Sequence, residues 1–206
     1  MGVKKKGAMI AICGLDGSGK TSIVDKLIGE LEKRGIKTHR VKEPHIRMLT
    51  HLFRLYEDPY IDTLIFAVDR LILQRSIKEM LREGIVISER CIWDGLCYQG
   101  AAGVSWDKIM DINRADWEFK FPDLVVILDA TPEQAYSRIL YSTHGKVKDK
   151  WEKRDYLKKV RSEFLRLYKY RNKFPGEFQL VDSTGSLDEA YKKVKSRVLR
   201  FLGLTK

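Results

Sequence analysis

The chain has 206 residues, of which 44% are hydrophobic and 33% are charged, and its formal net charge is +11. These proportions are typical of a soluble globular protein, and the length favours a single domain over 1–206 because domains average about 150 residues. No apolar run approaches the roughly 20 residues of a membrane helix, and the first run, 8–13, is too short for a secretory signal. The three cysteines lack metal-ligand spacing, so we expect reduced thiols in a cytoplasmic protein.

Five short runs rich in Ile and Val alternate with longer helical patterns along the chain, at 8–13, 37–41, 84–89, 123–129 and 177–182. Glycines lie where two of the helices should end, and capping-box patterns lie where two others should begin. These signals are Gly35, Gly84, Thr131 with Gln134, and Ser186 with Glu189. The alternation predicts an α/β fold with a five-stranded parallel sheet and helices on both faces.

The first run leads into GLDGSGKTS (14–22), which fits the P-loop pattern G-x-x-x-x-G-K-[ST] between a strand and a helix. In such a loop the backbone N–H groups turn toward phosphate oxygens, Lys20 reaches the β- and γ-phosphates, and Thr21 supplies an oxygen to Mg²⁺. We therefore predict ATP or GTP with Mg²⁺, bound by Gly14, Leu15, Asp16, Gly17, Ser18, Gly19, Lys20 and Thr21. The motif N-K-x-D, which reads guanine in GTPases, is absent, and this favours ATP.

The helical pattern around 61–72 has an apolar stripe that we predict to face the core, formed by Ile61, Ile65, Val68 and Ile72. Phe66, Asp69 and Arg70 share another face, and an aromatic ring beside an arginine suits stacking and hydrogen bonding to a base. Alternatively, Phe66 belongs to the core and Arg70 pairs with Asp69 at the surface.

Most of the net positive charge lies between positions 138 and 173, where thirteen Lys or Arg residues accompany four acidic ones. Such a segment suits a nucleic-acid footprint, a solvated helix face, or a clamp for a small polyanion. Its charge alone does not choose among these.

The chain resembles the thymidylate kinase family of nucleoside monophosphate kinases in the order and spacing of seven segments: GLDGSGKT, KEP (42–44), LIFAVDR (64–70), ERCIWDGLCYQG (89–100), FPDLVVILDATPEQAYSR (121–138), DKWE (149–152) and VDSTGS (181–186). The resemblance implies a P-loop NTPase fold with a small basic lid at about 138–152. It further implies ATP-dependent, Mg²⁺-assisted phosphorylation of dTMP to dTDP by a homodimer.

The resemblance also assigns roles to residues of this chain. Those implied in catalysis are Lys20, Arg90, Arg138 and Lys150. Those implied in binding the acceptor are Asp16, Lys42, Phe66, Arg70, Arg90, Asp94, Tyr98 and Gln99, and those near Mg²⁺ are Thr21 and Glu89. Phe66 would stack on thymine, Arg70 would contact its polar edge, and Arg90 would grip the monophosphate. By position alone, Arg90 suits a charged loop, and Tyr98 and Gln99 suit ordinary helix residues.

Three departures from the family pattern keep other functions open. Glu89 and Cys91 replace an Asp and a Tyr, Asp94 replaces a Ser, and the lid keeps Arg138 but otherwise carries lysines at 146, 148 and 150. The acceptor could therefore be another pyrimidine monophosphate or a deoxynucleoside. A protein of a different class, a non-catalytic nucleotide sensor or nucleic-acid-binding P-loop protein, is the remaining alternative, although the resemblance argues against nucleic acid as a partner.

Overall fold

The computed structural model describes residues 7–46, 48–113, 119–144 and 150–204, without the side chains of residues 50, 53, 54 and 150. Its strands are β1 (Met9–Gly14), β2 (Thr38–Lys42), β3 (Ile85–Glu89), β4 (Leu124–Asp129) and β5 (Glu177–Asp182). The α-helices of the described part are α1 (Lys20–Lys33), α2 (Leu49–Leu55), α3 (Pro59–Glu83), α4 (Ile92–Ala101), α5 (Trp106–Asn113), α6 (Pro132–Ser142), α7 (Arg154–Lys169) and α8 (Leu187–Phe201). Short 3₁₀ turns occur at Lys150–Glu152 and Arg171–Lys173.

All five strands are parallel and lie in the order β2-β3-β1-β4-β5. In the register of the sheet, Ile12 of the central strand lies opposite Glu89 on one side and Val126 on the other. The α/β fold and its five-stranded parallel sheet are thus confirmed. Four strands begin one residue later than predicted, and β5 begins where predicted. The apolar runs indicate which residues lie inside the sheet, but they do not fix the residue at which each strand begins.

The central strand is buried on both faces, as expected for a parallel sheet covered by helices. Ile10 and Ile12 pack with side chains of α1 and α8 on one face. Ala11 and Cys13 point to the other face and pack with α4, α6 and α7. Because the sheet is covered in this way, its polar functional groups collect at the carboxyl ends of the strands.

Helix α3 turns the opposite side inward from the one we predicted. Val68 and Ile72 are 51% and 46% exposed, and Ile61 and Ile65 are only partly buried, so the predicted core stripe is wrong. The buried side chains of α3 are instead Asp62, Thr63, Asp69, Arg70, Leu73, Gln74 and Ile77. Helical periodicity separates two faces but does not say which one is covered. Here the polar face turns inward because its groups have partners there.

The predicted helix boundaries are confirmed at the capping boxes. Thr131 accepts a hydrogen bond from the Gln134 N–H at the start of α6, and Ser186 accepts one from the Glu189 N–H at the start of α8. Gly84 follows the last residue of α3.

The segment predicted as a lid begins within a helix. Residues 138–142 belong to α6, a turn follows at 143–144, and Lys146 and Lys148 lie outside the described residues. In the part of the chain that the structure describes, no helix combines the length and the apolar character needed to cross a membrane.

Candidate active site

The phosphate loop joins the carboxyl end of β1 to the first residue of α1, and its glycines are required by the backbone. Gly14 has φ +139°, and a Cβ at this position would lie 2.6 Å from the carbonyl oxygen of Leu128. Gly17 has φ +79°, and a Cβ there would collide with the carbonyl oxygen of Ala135. Among the described residues no side chain caps α1, so the N–H groups of its first turn remain available to an anion.

Lys20 folds over this loop. Its Nζ donates to the carbonyl oxygens of Gly14 at 2.8 Å and Leu15 at 2.7 Å, and it lies 3.6 Å from the Asp16 carboxylate. Burial and the neighbouring Arg90 lower the pKa of Lys20 to about 8, although nearby carboxylates act in the opposite direction. The ammonium is therefore held where phosphate oxygens would approach, in surroundings that disfavour its charge until an anion arrives.

Thr21 and Glu89, the two residues predicted near Mg²⁺, lie together. The Thr21 hydroxyl donates to Glu89 at 2.7 Å, and the same carboxylate accepts from Arg40 at 2.9 Å and pairs with Lys42 at 2.8 Å. Burial acts to raise the pKa of Glu89, but the bonds from Lys42, Thr21 and Arg40 outweigh it and lower the pKa. The carboxylate is consequently ionised beside a hydroxyl oxygen, and this is the donor set that Mg²⁺ prefers.

Two cavities meet at the end of the sheet. The larger, of about 490 Å³, surrounds the phosphate loop and is bordered by Lys42, Glu89 and Arg138, with Ser183, Gly185 and Leu187 on its far side. The smaller, of about 240 Å³, lies under α3 and α4. Asp16 and Arg90 line both, so we name them the phosphate cavity and the acceptor cavity and treat them as one site.

The acceptor cavity contains most of the residues predicted for it. Its walls include Asp16, Phe66, Arg70, Arg90, Asp94, Tyr98 and Gln99. Lys42 is the exception, since it lines the phosphate cavity beside Glu89. Glu43, Trp151 and Glu152 also line the acceptor cavity, although we predicted no role for them.

Arg70 is fixed at the wall of the acceptor cavity by partners from distant parts of the chain. Only 2% of its surface is exposed. Its Nε and Nη2 donate to the Glu43 carboxylate at 2.9 and 2.7 Å, and Nη1 donates to Asn113. The alternative pairing with Asp69 is wrong, because Asp69 accepts from the backbone N–H groups of His45 and Ile46. Burial raises the pKa of Glu43, and Arg70 partly opposes this effect.

Arg90 stands at the junction of the two cavities. It forms an ion pair with Asp16, and its guanidinium lies 5.3 Å from the centre of the Tyr98 ring. The Tyr98 hydroxyl accepts the backbone N–H of Asp16 at 2.9 Å. Burial acts to lower the pKa of Arg90, but the charge of Asp16 more than reverses this, so the net shift is upward. A permanent cation is therefore held where a phosphate in either cavity would reach it.

Asp94 connects the wall of the acceptor cavity to the phosphate loop. One carboxylate oxygen accepts the backbone N–H of Gly14 at 3.3 Å, and the other accepts the backbone N–H of Cys91 at 3.1 Å. Burial raises its pKa, and Arg90 and Lys20 lower it in part. The carboxylate thus supports the phosphate loop from the first turn of α4 as well as lining the acceptor cavity.

Arg138 reaches the phosphate cavity from α6. Its guanidinium lies 3.2–3.5 Å from the carbonyl oxygens of Gly17, Ser183 and Gly185, so it bridges the phosphate loop and the segment after β5. The side chain of Lys150, the other predicted lid cation, lies outside the described side chains.

Some residues of the site were not predicted from the sequence, and they differ in whether any sequence signal pointed to them. Glu43 and Trp151 fall within the segments KEP and DKWE, so the resemblance included them without a role. Asn113 carries no sequence signal, because it meets Arg70 only when α5 packs against α3.

The parallel sheet, the phosphate loop at the end of its central strand, and the adjoining second cavity define a P-loop phosphotransferase. The thymidylate kinase family model matches residues 12–194. The probable thymidylate kinase of Staphylothermus marinus is 32% identical over 205 residues, covering 97% of this chain and 98% of the relative. The thymidylate kinase of Caldanaerobacter subterraneus subsp. tengcongensis is 33% identical over 211 residues, covering 96% and 97%. The probable thymidylate kinase of Pyrobaculum aerophilum is 37% identical over 166 residues, covering 77% and 81%. The chain belongs to the thymidylate kinase family, and it is a nucleotide-binding transferase.

Proposed function

We propose that this chain is a cytoplasmic enzyme that transfers the γ-phosphoryl group of ATP to dTMP, giving ADP and dTDP. The observation that carries the proposal is the junction of the phosphate cavity and the acceptor cavity at Asp16 and Arg90. A donor triphosphate at the loop and an acceptor monophosphate at Arg90 would meet there in line. The names of the relatives support dTMP as the acceptor.

The chemistry requires positive charge and positioning more than proton transfer. The transferred phosphoryl group passes through a transition state whose negative charge is spread over several oxygens. The acceptor monophosphate has a second pKa of about 6, so it is largely a dianion at neutral pH and needs no general base. Lys20 supplies a buried cation and Arg90 a partly buried one, on the two sides of the transfer point.

Thr21 and Glu89 fit a Mg²⁺ ion, because an ionised carboxylate and a hydroxyl oxygen lie 2.7 Å apart at the edge of the phosphate cavity. The ion would supply charge neutralisation to the donor phosphates. Arg40 and Lys42 hold the Glu89 carboxylate in place and keep it ionised.

The acceptor cavity suits a pyrimidine nucleotide. Phe66 and Tyr98 provide aromatic surface, and Arg70 and Gln99 provide polar groups for the edge of a base. The Tyr98 hydroxyl accepts a hydrogen bond from the backbone N–H of Asp16, and this bond fixes the orientation of the ring. We place the sugar of the acceptor nucleotide beside this ring. We propose that this ring disfavours a 2′-hydroxyl and therefore ribonucleotides.

We propose that residues of about 138–152 act as the lid of a single domain spanning 1–206. Arg138 already contacts the phosphate loop from α6, and Trp151 and Glu152 line the acceptor cavity, so the two ends of this segment reach both substrates. Closure would exclude water and thereby suppress ATP hydrolysis. Arg138 and Lys150 are the cations that we assign to the transferring phosphoryl group.

The decisive experiment is a coupled assay of ADP release with ATP and Mg²⁺ across a panel of acceptors. The panel contains dTMP, dUMP, dCMP, the ribonucleotide UMP, thymidine, and a control without acceptor. We expect the highest kcat/KM with dTMP. A preference for another nucleotide or for thymidine would overturn the acceptor. ADP release that no acceptor stimulates, together with nucleic-acid binding that falls steeply with salt, would overturn the kinase itself.

We propose a homodimer that buries the outer face of α3. Four apolar side chains of this helix are 42–53% exposed: Leu64, Val68, Leu71 and Ile72. A contiguous exposed apolar face is a common feature of subunit interfaces. Light scattering coupled to gel filtration should give twice the chain mass of 24.0 kDa, and Val68→Glu should give a monomer. A monomeric wild type would contradict this arrangement.

A further inference from the structure

Two cysteine thiols lie face to face beneath the active site. Cys13 and Cys91 are 0% and 2% exposed, and their Sγ atoms are 3.5 Å apart. Cys13 directly precedes Gly14 of the phosphate loop, and Cys91 directly follows Arg90. Since β1 and β3 are paired neighbours, the two thiols connect the backbones that hold the donor and the acceptor.

The geometry of Cys13 and Cys91 allows a disulfide bond to form between them. A disulfide requires an S–S distance of about 2.05 Å and side chains that point at each other across neighbouring backbones. The thiols already point at each other, and the approach that remains is about 1.5 Å, within reach of side-chain rotation and a small backbone shift.

A metal ion is the competing occupant, because ligand atoms of Cys13, Cys91 and Asp94 all lie within 4.8 Å of one another. However, both oxygens of Asp94 already accept backbone N–H groups. A dication would also lie near the charges of Lys20 and Arg90, both of which act electrostatically on Asp94. Both thiols are buried in a hydrophobic cluster, and such surroundings favour neutral species. A disulfide is neutral, and a dithiolate-bound cation requires two buried thiolates.

We propose that Cys13 and Cys91 form an intramolecular disulfide when the protein meets hydrogen peroxide, with Cys91 as the attacking residue and Cys13 as the resolving one. Cys91 lines the acceptor cavity, through which a small oxidant can arrive, and Cys13 does not. The Cys91 thiol loses its proton as its sulfur attacks one oxygen of the peroxide, the O–O bond breaks, and the departing hydroxide takes up that proton and leaves as water. The Cys13 sulfur then attacks the sulfur of the resulting sulfenic acid and water leaves, so that two thiols and one peroxide give a disulfide and two waters.

The disulfide would join the base of the phosphate loop to the residue after Arg90. The consequence for catalysis rests on the proposed function. Since a displacement of about 1 Å in a positioned group can lower a rate by about 10²-fold, we expect kcat/KM for dTMP to fall by about 10- to 100-fold. Reduction by dithiothreitol should restore it.

The test counts thiols in the full-length protein. Wild-type protein is treated with hydrogen peroxide, unfolded in iodoacetamide, and weighed by intact mass spectrometry. We expect one alkylated cysteine, Cys97, in place of three, and all three after dithiothreitol. Cys97→Ala is the matched control, since Cys97 is equally buried in the same hydrophobic cluster. After peroxide treatment, this variant should have no cysteine left that iodoacetamide can alkylate. Cys13→Ala should form no intramolecular disulfide.

Three alkylated cysteines in peroxide-treated wild type, or a disulfide that forms in Cys13→Ala, would overturn the proposal. So would one equivalent of Zn²⁺ that wild type retains on desalting and Cys13→Ala does not. A further arm adds dTMP before the peroxide, and slower disulfide formation would support both proposals. A disulfide that forms equally fast with and without dTMP would support the disulfide proposal. It would count against dTMP as the occupant of the acceptor cavity.

Discussion

Replacing Arg70 with methionine should destabilise the protein as well as weaken acceptor binding. The change removes the cation and preserves much of the side-chain volume, so Glu43 keeps its buried position and loses the partner held at 2.7 and 2.9 Å. Breaking a buried ion pair by removing one partner costs about 3–5 kcal/mol. For a chain of this size, 1 kcal/mol corresponds to about 2–4 °C in Tm, so we expect a fall of about 6–20 °C.

The chain contains a matched control in Arg161. This side chain donates to Asp129 at 2.7 and 3.1 Å, in a similar paired geometry, but it is 32% exposed, compared with 2% for Arg70. Because water screens such a pair, Arg161→Met should cost no more than about 1 kcal/mol. Thermal and urea unfolding of both variants measure the difference.

A second substitution separates the structural role of Arg70 from its role in binding. Adding Glu43→Gln removes the unpaired charge, so it should recover much of the lost stability without restoring acceptor binding. Burial raises the pKa of Glu43, which means that the folded state binds its proton more readily than the unfolded state. The stability deficit of Arg70→Met should therefore shrink as the pH falls from 8 to 5. Equal losses in the Arg70 and Arg161 variants, with no recovery in the double variant, would refute this reasoning.

Four further outcomes concern the active site. Phe66→Ala should weaken dTMP binding by about 1–3 kcal/mol, the usual contribution of a base stacked on an aromatic ring, and leave the KM for ATP unchanged. A collapse of Tm with normal KM values would place Phe66 in the core instead. Arg138→Ala should lower kcat by about 10²-fold with little change in the KM for dTMP. Lys150→Arg should keep or raise kcat. An unchanged kcat in Arg138→Ala would contradict the role of Arg138 as a cation for the transferring phosphoryl group. Because the pKa of Lys20 is lowered to about 8, kcat/KM for ATP should fall as the pH rises above 8, and a flat profile up to pH 9.5 would contradict a role for its charge.

Local patterns in the sequence determined the framework of the site. Five apolar runs predicted the strands of the sheet to within one residue at their starts. The pattern from Gly14 to Thr21 predicted the phosphate loop, because a loop of this kind depends on backbone conformations that glycine permits and on residues adjacent in the chain. Thr131 and Ser186 predicted helix starts for the same reason, since a cap and its partner are three residues apart.

Only the tertiary structure decided which groups are buried and what they contact. The apolar stripe of α3 was predicted to face the core, but the face bearing Arg70 is the buried one. The partners of Arg70, Glu43 and Asn113, lie 27 and 43 positions away from it in the sequence, so no short sequence pattern could reveal them. Likewise, Cys13 and Cys91 meet only because β1 pairs with β3. A charged or polar group can be buried only where its partner is within bonding distance, and that distance is set by packing between elements.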